Sequence, residues 1–361
     1  MLRISFINVG YGDAILIEEL RDERRVFSML VDGGVPYAGD YRVSYDRWPS
    51  RVPAFRYLAS RGIDALDAVF LTHLHIDHIG GLPEVLEQCS VGDVWSSLDL
   101  ADPERFSSLN ALALEDGSAP ERATAREMRL SLNLLAELHG LAGERGIPME
   151  RLGGEHRIIA LSDGLTAEFF EADRALSART EAFIAEILSP DTEAARAQRA
   201  LVHLDSIQNA AGVALRLTYG GRKILLPADL PAVHWKGDAW GAERLRADIV
   251  KLAHHGQADS MTRELAVKIS PRHAVISVSA DNPFGAPSPN VFDLFDAGLE
   301  FWTTENIEMP PRNPSTSGPS PSSPSPRAPE QPPKLARGPS RRAVIFEIQS
   351  DGEINVSLDR V

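Results

Sequence analysis

The chain has 361 residues, of which 43% are hydrophobic and 24% are charged, and these proportions exclude wholesale disorder. Its 37 basic and 51 acidic residues give a net charge of −14, which argues against a broad basic face that grips nucleic acid. The single cysteine, Cys89, excludes an internal disulfide and a cysteine-caged zinc site. We therefore expect a reducing, cytoplasmic compartment, and no targeting or membrane-spanning segment is evident.

The first third of the sequence predicts mostly strands. Residues 3–8 alternate polar and apolar side chains, and similar segments follow at 14–20 and 25–31. Glycine-rich turns come after the first and third of these strands, where the backbone can turn tightly or approach a ligand. A short helix at 53–62 precedes another apolar strand at 65–71, which runs directly into a group of histidines.

The middle of the chain predicts more helix. Apolar residues recur at helical spacing over 120–143, and a second helix is predicted at 177–200 with an interruption at Ser189-Pro190. Strands are predicted on either side of this second helix, at 157–160, 165–170, 213–219, 223–226, 249–252 and 274–278. Mixed strands and helices of this kind predict a layered α/β protein.

The segment at 310–342 differs in composition from the rest. It holds eleven of the 25 prolines, six basic residues and one acidic residue, which leaves the remainder with a net charge of −19. Such a segment cannot bury a core, so we expect a disordered loop within a single domain that spans residues 1–361. A closing β-hairpin is predicted at 343–361. We interpret the loop as a solvated spacer; its Pro-x-x-Pro spacing leaves an SH3-type ligand as an alternative.

The strongest chemical signal is the run Thr-His-Leu-His-Ile-Asp-His at residues 72–78. Because side chains alternate along a strand, His73 and His75 point the same way, and Asp77 and His78 follow in the turn that enters a helix. Four such ligands within six residues can hold two metal ions side by side, and imidazole with carboxylate suits zinc, manganese or iron. A histidine-rich surface turn is the structural alternative.

This HxHxDH pattern at a strand end resembles the signature of the metallo-β-lactamase superfamily of metal-dependent hydrolases. The resemblance implies a four-layer αββα sandwich of the α/β class. It also implies that His73 and His75 bind one divalent metal ion while Asp77 and His78 bind the second. Zinc is the expected metal, with manganese as the alternative.

Later residues complete the pattern that the resemblance implies. Asp229 follows an apolar strand and looks like the carboxylate that bridges the two metals, whereas a turn aspartate is its alternative. His255 looks like the last ligand of the second metal, with His254 beside it in an outer or substrate-facing position. Asp13 and Asp32, on loops beneath the expected site, are predicted either to orient the histidines or to cap turns.

A narrower resemblance is to the hydrolase domain of ComEC DNA-uptake proteins. It covers most of residues 1–309 and the closing hairpin, whereas the middle, including a helical insertion at 175–200, fits less well. The membrane part of those proteins is absent from this sequence, and no membrane partner is expected. The resemblance is carried by four segments, at residues 5–14, 250–256, 277–291 and 302–305.

Some positions depart from the family pattern. Ala286 stands where a histidine is usual, and Gln257 stands where a serine is usual, so the substrate can differ. The third ligand of the first metal has no clear counterpart. His203 is the candidate by spacing, and Asp205 and Asn209 in the same segment are alternatives.

A dinuclear metal site is suited to the hydrolysis of phosphodiesters, esters, thioesters or lactones. Asp229 is expected to orient the attacking water, Asp77 to accept a proton, and His254 to face the substrate. The first hypothesis is a nuclease or phosphodiesterase acting on nucleic acid or a small phosphoester. The second is a hydrolase of another small ester, thioester or lactone, and the third is a binding module without turnover.

Overall fold

A computed structural model provides the coordinates. It describes residues 1–98, 106, 109, 112–115, 117–152, 156–171, 173–235, 241–281, 284–296, 298–307, 334–335 and 340–360. Most of the predicted proline-rich loop at 310–342 therefore lies outside the described residues. Among the helices within these ranges, none is both long and apolar enough to cross a membrane.

Sixteen strands in the described residues form two eight-stranded sheets. The strands are β1 (Leu2–Ile7), β2 (Ile15–Arg21), β3 (Arg24–Val31), β4 (Ala65–Leu71), β5 (Ser90–Ser96), β6 (Met149–Arg151), β7 (Arg157–Ala160), β8 (Thr166–Glu171), β9 (Val213–Tyr219), β10 (Arg222–Leu226), β11 (Ile249–Lys251), β12 (His273–Ile276), β13 (Glu300–Thr303), β14 (Lys334–Leu335), β15 (Arg341–Ile348) and β16 (Ile354–Arg360). The first sheet has the order β16-β15-β1-β2-β3-β4-β5-β6, and the second has the order β14-β13-β12-β11-β10-β9-β8-β7.

The helices of the described residues cover the outer faces of the two sheets. They are α1 (Arg42–Arg47), α2 (Ala54–Ser60), α3 (Ile76–Ile79), α4 (Leu82–Gln88), α5 (Ala119–Arg145), α6 (Arg174–Ile187), α7 (Ala194–Ala211), α8 (Ala242–Leu245) and α9 (Arg263–Ile269). The long helix α5 begins at a capping box between Ser118 and Glu121 and ends at Gly146, whose positive φ of 66° closes it. The predicted helix at 177–200 is two helices, α6 and α7, separated around Pro190 because proline cannot continue the hydrogen-bond ladder.

Successive side chains along the strands point to opposite faces of each sheet, and this produces three hydrophobic core clusters. In β3, Leu30 contacts the helices of the first outer layer, whereas Met29 and Val31 pack against the second sheet. In β10, Leu225 faces the helices of the opposite outer layer, while its neighbour Ile224 joins the core between the sheets. Both sheets are thus buried on two faces, and the molecule is the predicted four-layer αββα sandwich.

Parallel pairing brings the ends of several strands to one edge. Strands β3, β4 and β5 pair in parallel in the first sheet, and β10 to β13 pair in parallel in the second. Ligands of open α/β sheets bind beyond the carboxyl ends of such strands. The loops that carry the predicted metal ligands follow β4, β10 and β11, and they meet at this edge.

The carboxyl-terminal boundary differs from the prediction. Strand β15 begins at Arg341, so residues 341–342 belong to a strand and not to the loop, and Arg341 is buried. Residues 334–335 also form a short strand, β14, beside β13. Arg341 pairs with Arg360 of β16, and residues 334–335 pair with β13. These pairings override the local composition, which contains too few apolar residues to indicate either strand. Strands β15 and β16 pair antiparallel at the sheet edge.

Candidate metal centre

The histidine-rich segment leaves β4 and turns at once into the short helix α3. His73, Asp77 and His78 are buried, and His75 is partly exposed. The Nε2 atom of His73 lies 3.2 Å from Nδ1 of His75, so the two imidazoles meet as the strand alternation predicted. The ring centroids of His73 and His78 are 4.1 Å apart, which joins both ends of the motif.

Asp32 fixes the orientation of the His78 ring. Its Oδ2 atom lies 2.8 Å from His78 Nδ1, and its two oxygens also accept from the backbone N–H and the hydroxyl of Thr72. The second nitrogen of His78 is thereby directed at two other carboxylates. His78 Nε2 lies 3.3 Å from Asp229 Oδ2 and 3.6 Å from Asp77 Oδ2, yet within the described part of the chain it makes no hydrogen bond of normal geometry.

Asp229 is held from the opposite side by a buried lysine. Lys251 is fully buried, and its Nζ donates to Asp229 Oδ1 at 3.0 Å and to the carbonyl oxygen of Ala228 at 3.1 Å. Lys251 also forms an ion pair with Asp13. One oxygen of Asp229 is thus occupied by Lys251, and the other faces the histidines.

The two adjacent histidines after β11 point in different directions. Both adopt left-handed backbone conformations, with φ of 47° for His254 and 52° for His255, which are uncommon for residues with a side chain. His255 Nδ1 lies 3.1 Å from the carbonyl oxygen of Ser277, and its Nε2 lies 3.1 Å from Asp77 Oδ2. His254 instead contacts Asn209 and Asp259 and stays partly exposed.

These placements produce one compact group of ligand atoms. The ligand atoms of Asp77, His78, Asp229 and His255 all lie within 4.8 Å of one another, and all four residues are buried. A buried set of two carboxylates and two imidazoles, with an unsatisfied nitrogen on His78, fits a divalent metal ion. His73 and His75 lie beside this group and provide further imidazoles.

The structure does not bring His203 to this centre. His203 is exposed, stacks on Phe183 with 5.8 Å between the ring centroids, and lines a separate cavity. Asp205, an alternative in the sequence analysis, lies next to His75, with 3.5 Å between His75 Nε2 and Asp205 Oδ1. Two residues along a helix correspond to about 200° of rotation, so His203 and Asp205 lie on opposite faces of α7.

Burial and mutual charge shift the pKa values of these groups in opposite directions. Burial raises the pKa of Asp77, but His78 and His255 outweigh it and lower the pKa to about 2. Burial lowers the pKa of His255, but Asp229 outweighs it and raises the pKa to about 9. For Asp229, burial is outweighed by His255, Lys251 and His78, and its pKa falls well below the usual value. Both carboxylates are therefore ionised near neutral pH and can bind cations.

Glycine allows the first loop to approach the centre closely. Gly12 has φ of 109°, and a Cβ atom there would lie 2.1 Å from the carbonyl oxygen of Asp77. The same carbonyl accepts from the N–H of Asp13 at 3.1 Å. Only glycine fits this contact without moving Asp77.

A cavity of about 390 Å³ opens beside the ligand atoms. Its lining includes side chains from α5 and α7, in addition to ligands of the centre. The sequence did not point to Tyr11, Glu127 and Phe284, which line this cavity. It also did not point to Lys251, which donates to Asp229. One signal was present for Lys251, because a lysine inside the apolar run Ile-Val-Lys-Leu-Ala has to find a buried partner.

The comparisons with known proteins agree with this geometry. Residues 7–156 match the model of the metallo-beta-lactamase superfamily. The match covers less than half of the 361 residues. It confirms the predicted resemblance over that part of the chain, and the two sheets with outer helices confirm the predicted fold.

The chain also resembles two curated proteins. It is 21% identical to ComE operon protein 3 of Bacillus subtilis over 299 residues, which cover 81% of this chain and 30% of that protein. It is 34% identical to Ribonuclease J of Mycoplasma pneumoniae over 68 residues, 19% of this chain and 11% of that protein. The chain thus spans less than a third of the length of these relatives.

Among solved structures, the chain is similar to the short form of human tRNase Z. The two share 14% sequence identity, and the alignment covers 78% of this chain and 93% of that one with a TM-score of 0.39.

Proposed function

We propose that this protein is a hydrolase that uses two divalent metal ions, with zinc as the expected metal, to cleave phosphodiester bonds. The observation that carries the proposal is the buried group of Asp77, His78, Asp229 and His255, whose ligand atoms lie within 4.8 Å of one another. When bound, two metal ions supply Lewis-acid chemistry, which activates water and stabilises the oxygens of an in-line displacement.

The ligand roles follow from the positions of the side chains. His73 and His75 would hold one ion, with Asp205 as the nearest candidate for a further ligand beside His75. The second ion would be held by Asp77, His78 and His255, with Asp229, whose Oδ2 faces both histidines, as a further ligand of the centre.

The chain's own residues would supply orientation and proton transfer. Lys251 holds Asp229 Oδ1, which keeps the other oxygen directed at the centre. Asp77 is ionised near neutral pH because its pKa is lowered to about 2, so it can accept a hydrogen bond or a proton from a water in the cavity. His254 lines the same cavity and is partly exposed, which suits contact with a substrate.

The choice of phosphodiesters rests on the relatives. Ribonuclease J, by its name, acts on RNA, and the chain matches part of it at 34% identity. The net charge of −14 argues against a wide grip on a polymer, so the contacts with substrate would be concentrated at the centre. The single cysteine favours a reducing compartment, and a cytoplasmic location is part of the proposal.

The decisive experiment combines metal analysis with a substrate panel. We expect about two metal ions per chain, and hydrolysis of bis-p-nitrophenyl phosphate or single-stranded DNA that is lost in Asp77→Asn. Hydrolysis of carboxylic esters, thioesters or lactones with neither phosphodiester cleaved would instead identify a small-ester hydrolase. A metal-loaded protein that turns over none of these substrates would indicate a binding module and would contradict the proposal.

A further inference from the structure

An aromatic pair extends from the metal centre into the open cavity. The ring centroid of Tyr11 lies 5.0 Å from that of His255 and 4.6 Å from that of Phe284. Both aromatic residues line the cavity that also contains Asp77 and Asp229. Stacked and tilted aromatic contacts at these distances hold the rings in defined positions. Tyr11 therefore contacts the ring of a candidate ligand, His255, and Phe284 extends the pair into the cavity.

The side chain of Phe284 is unusually exposed for an aromatic residue. Its exposed fraction is 56%, whereas the phenylalanines of the core are almost fully buried. Asp281, three residues before Phe284, accepts a hydrogen bond from the buried Arg51 at 2.6 Å, and Arg51 also donates to Glu305 at 2.6 and 2.9 Å. A ring presented to solvent beside the candidate metal centre, close in the chain to a residue held in this way, is suited to stacking on a flat ligand.

One part of the cavity wall is acidic. Glu127 from α5 lines the cavity, and Asn209 from α7 adds a side-chain amide. The Glu127 carboxylate would repel a second phosphate placed near the first. An uncharged base meets no such repulsion, so this wall tolerates a base better than a phosphate.

We propose that Tyr11 and Phe284 form a stacking platform for the nucleobase next to the scissile phosphodiester, and that Glu127 disfavours a neighbouring phosphate. The preferred substrate is then a short nucleotide with one phosphodiester and not a continuous strand. This inference rests on the proposed phosphodiesterase function and names its substrate class. Stacking of a base on aromatic rings is tolerant of base identity, so little preference among bases is expected.

The first test uses two esters that share a leaving group. Thymidine 5′-p-nitrophenyl phosphate carries a base and methyl p-nitrophenyl phosphate does not, so their ratio of kcat/KM isolates the base. We expect the metal-loaded protein to prefer the nucleoside ester by roughly 5- to 150-fold, the range given by base–aromatic stacking. The preference should fall towards unity in Phe284→Ala and persist in Phe284→Trp. Val267→Ala, which alters an equally exposed side chain on α9, should retain it.

A binding measurement supports the kinetic one. In isothermal titration of the metal-loaded protein, thymidine 5′-monophosphate should bind more tightly than methyl phosphate by a similar factor, and Phe284→Ala should remove the difference. Hydrolysis of both esters at equal kcat/KM would overturn the platform while leaving the phosphodiesterase intact. Hydrolysis of neither ester would instead contradict the proposed function itself.

The second test addresses the acidic wall. The wild-type protein should cleave the dinucleotide TpT faster per phosphodiester than a twelve-residue oligothymidylate. Glu127→Gln should narrow this difference, because it removes a charge from the cavity, while Glu144→Gln on the same helix should not. Equal or faster cleavage of the longer strand by the wild-type protein would overturn the preference for short substrates.

Discussion

Lys251 and Asp229 form a buried ion pair in which the two carboxylate oxygens of the aspartate have different partners. Lys251 Nζ donates to Oδ1 at 3.0 Å, and Oδ2 lies 3.2 Å from His255 Nε2 and 3.3 Å from His78 Nε2. The lysine also pairs with Asp13, so a single cation contacts two buried carboxylates. Its placement keeps the free oxygen of Asp229 directed at the two histidines.

Replacing this lysine should therefore destabilise the protein. Lys251→Met keeps the apolar stem but leaves buried carboxylates without their cation, and loss of one partner of a buried pair costs about 3–5 kcal/mol. We expect a loss of this size in the free energy of unfolding of the chelated protein, measured with denaturant. Lys268→Met breaks an exposed pair with Glu264 and should cost less than about 0.5 kcal/mol. Equal stability of the two variants would contradict the role of Lys251.

Removing a ligand should weaken metal binding. Asp77→Asn preserves the shape of the side chain but removes the charge that faces His78 and His255. Since loss of an outer partner alone lowers metal affinity by about 10–100-fold, we expect a loss beyond about 100-fold for at least one ion. Metal content after dialysis against a weak chelator measures this. Asp163→Asn, on an exposed turn, should retain the wild-type content.

The chelated protein should lose stability as the pH rises. The pKa of His255 is raised to about 9 in the folded state, against 6.5 as its ordinary value. Its contribution is therefore fully present below pH 6.5 and is lost as the pH rises through about 9. One pKa unit corresponds to about 1.4 kcal/mol, so we expect a decrease in the free energy of unfolding on the order of 3–4 kcal/mol. Denaturant unfolding at several pH values measures it, and His255→Gln should flatten the profile.

Substitution of Gly12 by alanine should disturb the centre more than the same substitution at Gly62, which also has a positive φ. Gly62 has φ of 66°, and a Cβ atom there would meet no other atom within 4 Å, so Gly62→Ala should cost only the conformational term of about 1–2 kcal/mol. Gly12→Ala adds a clash with the Asp77 carbonyl, which contributes about 1–3 kcal/mol more. Thermal unfolding and metal content together check this. Normal metal content in Gly12→Ala would contradict the close approach.

Local sequence determined much of the fold and part of the site. Alternation and apolar runs located most strands, because burial on one or both faces leaves a periodic trace in each segment. The candidate ligands at 73–78 could be predicted because strand alternation and the following turn place them together without help from distant residues. Asp229 and His255 were found through the family resemblance, and the structure brings them to the same group.

Other features depended on contacts between distant segments. Spacing alone favoured His203, but the rotation of α7 turns it to solvent and turns Asp205 towards His75. Arg341 is in a strand because it pairs with Arg360 of β16, and not because of local composition.

The sequence by itself determined the layered α/β class, the histidine-rich candidate ligands and the chemistry that such residues support, since these depend on residue type and short-range geometry. Only the tertiary structure decided that Lys251 pairs with both Asp13 and Asp229, and that Tyr11 and Phe284 meet beside the centre. These residues lie far apart in the chain. Their contact is fixed by the packing of two sheets and by the parallel strands whose ends meet at one edge.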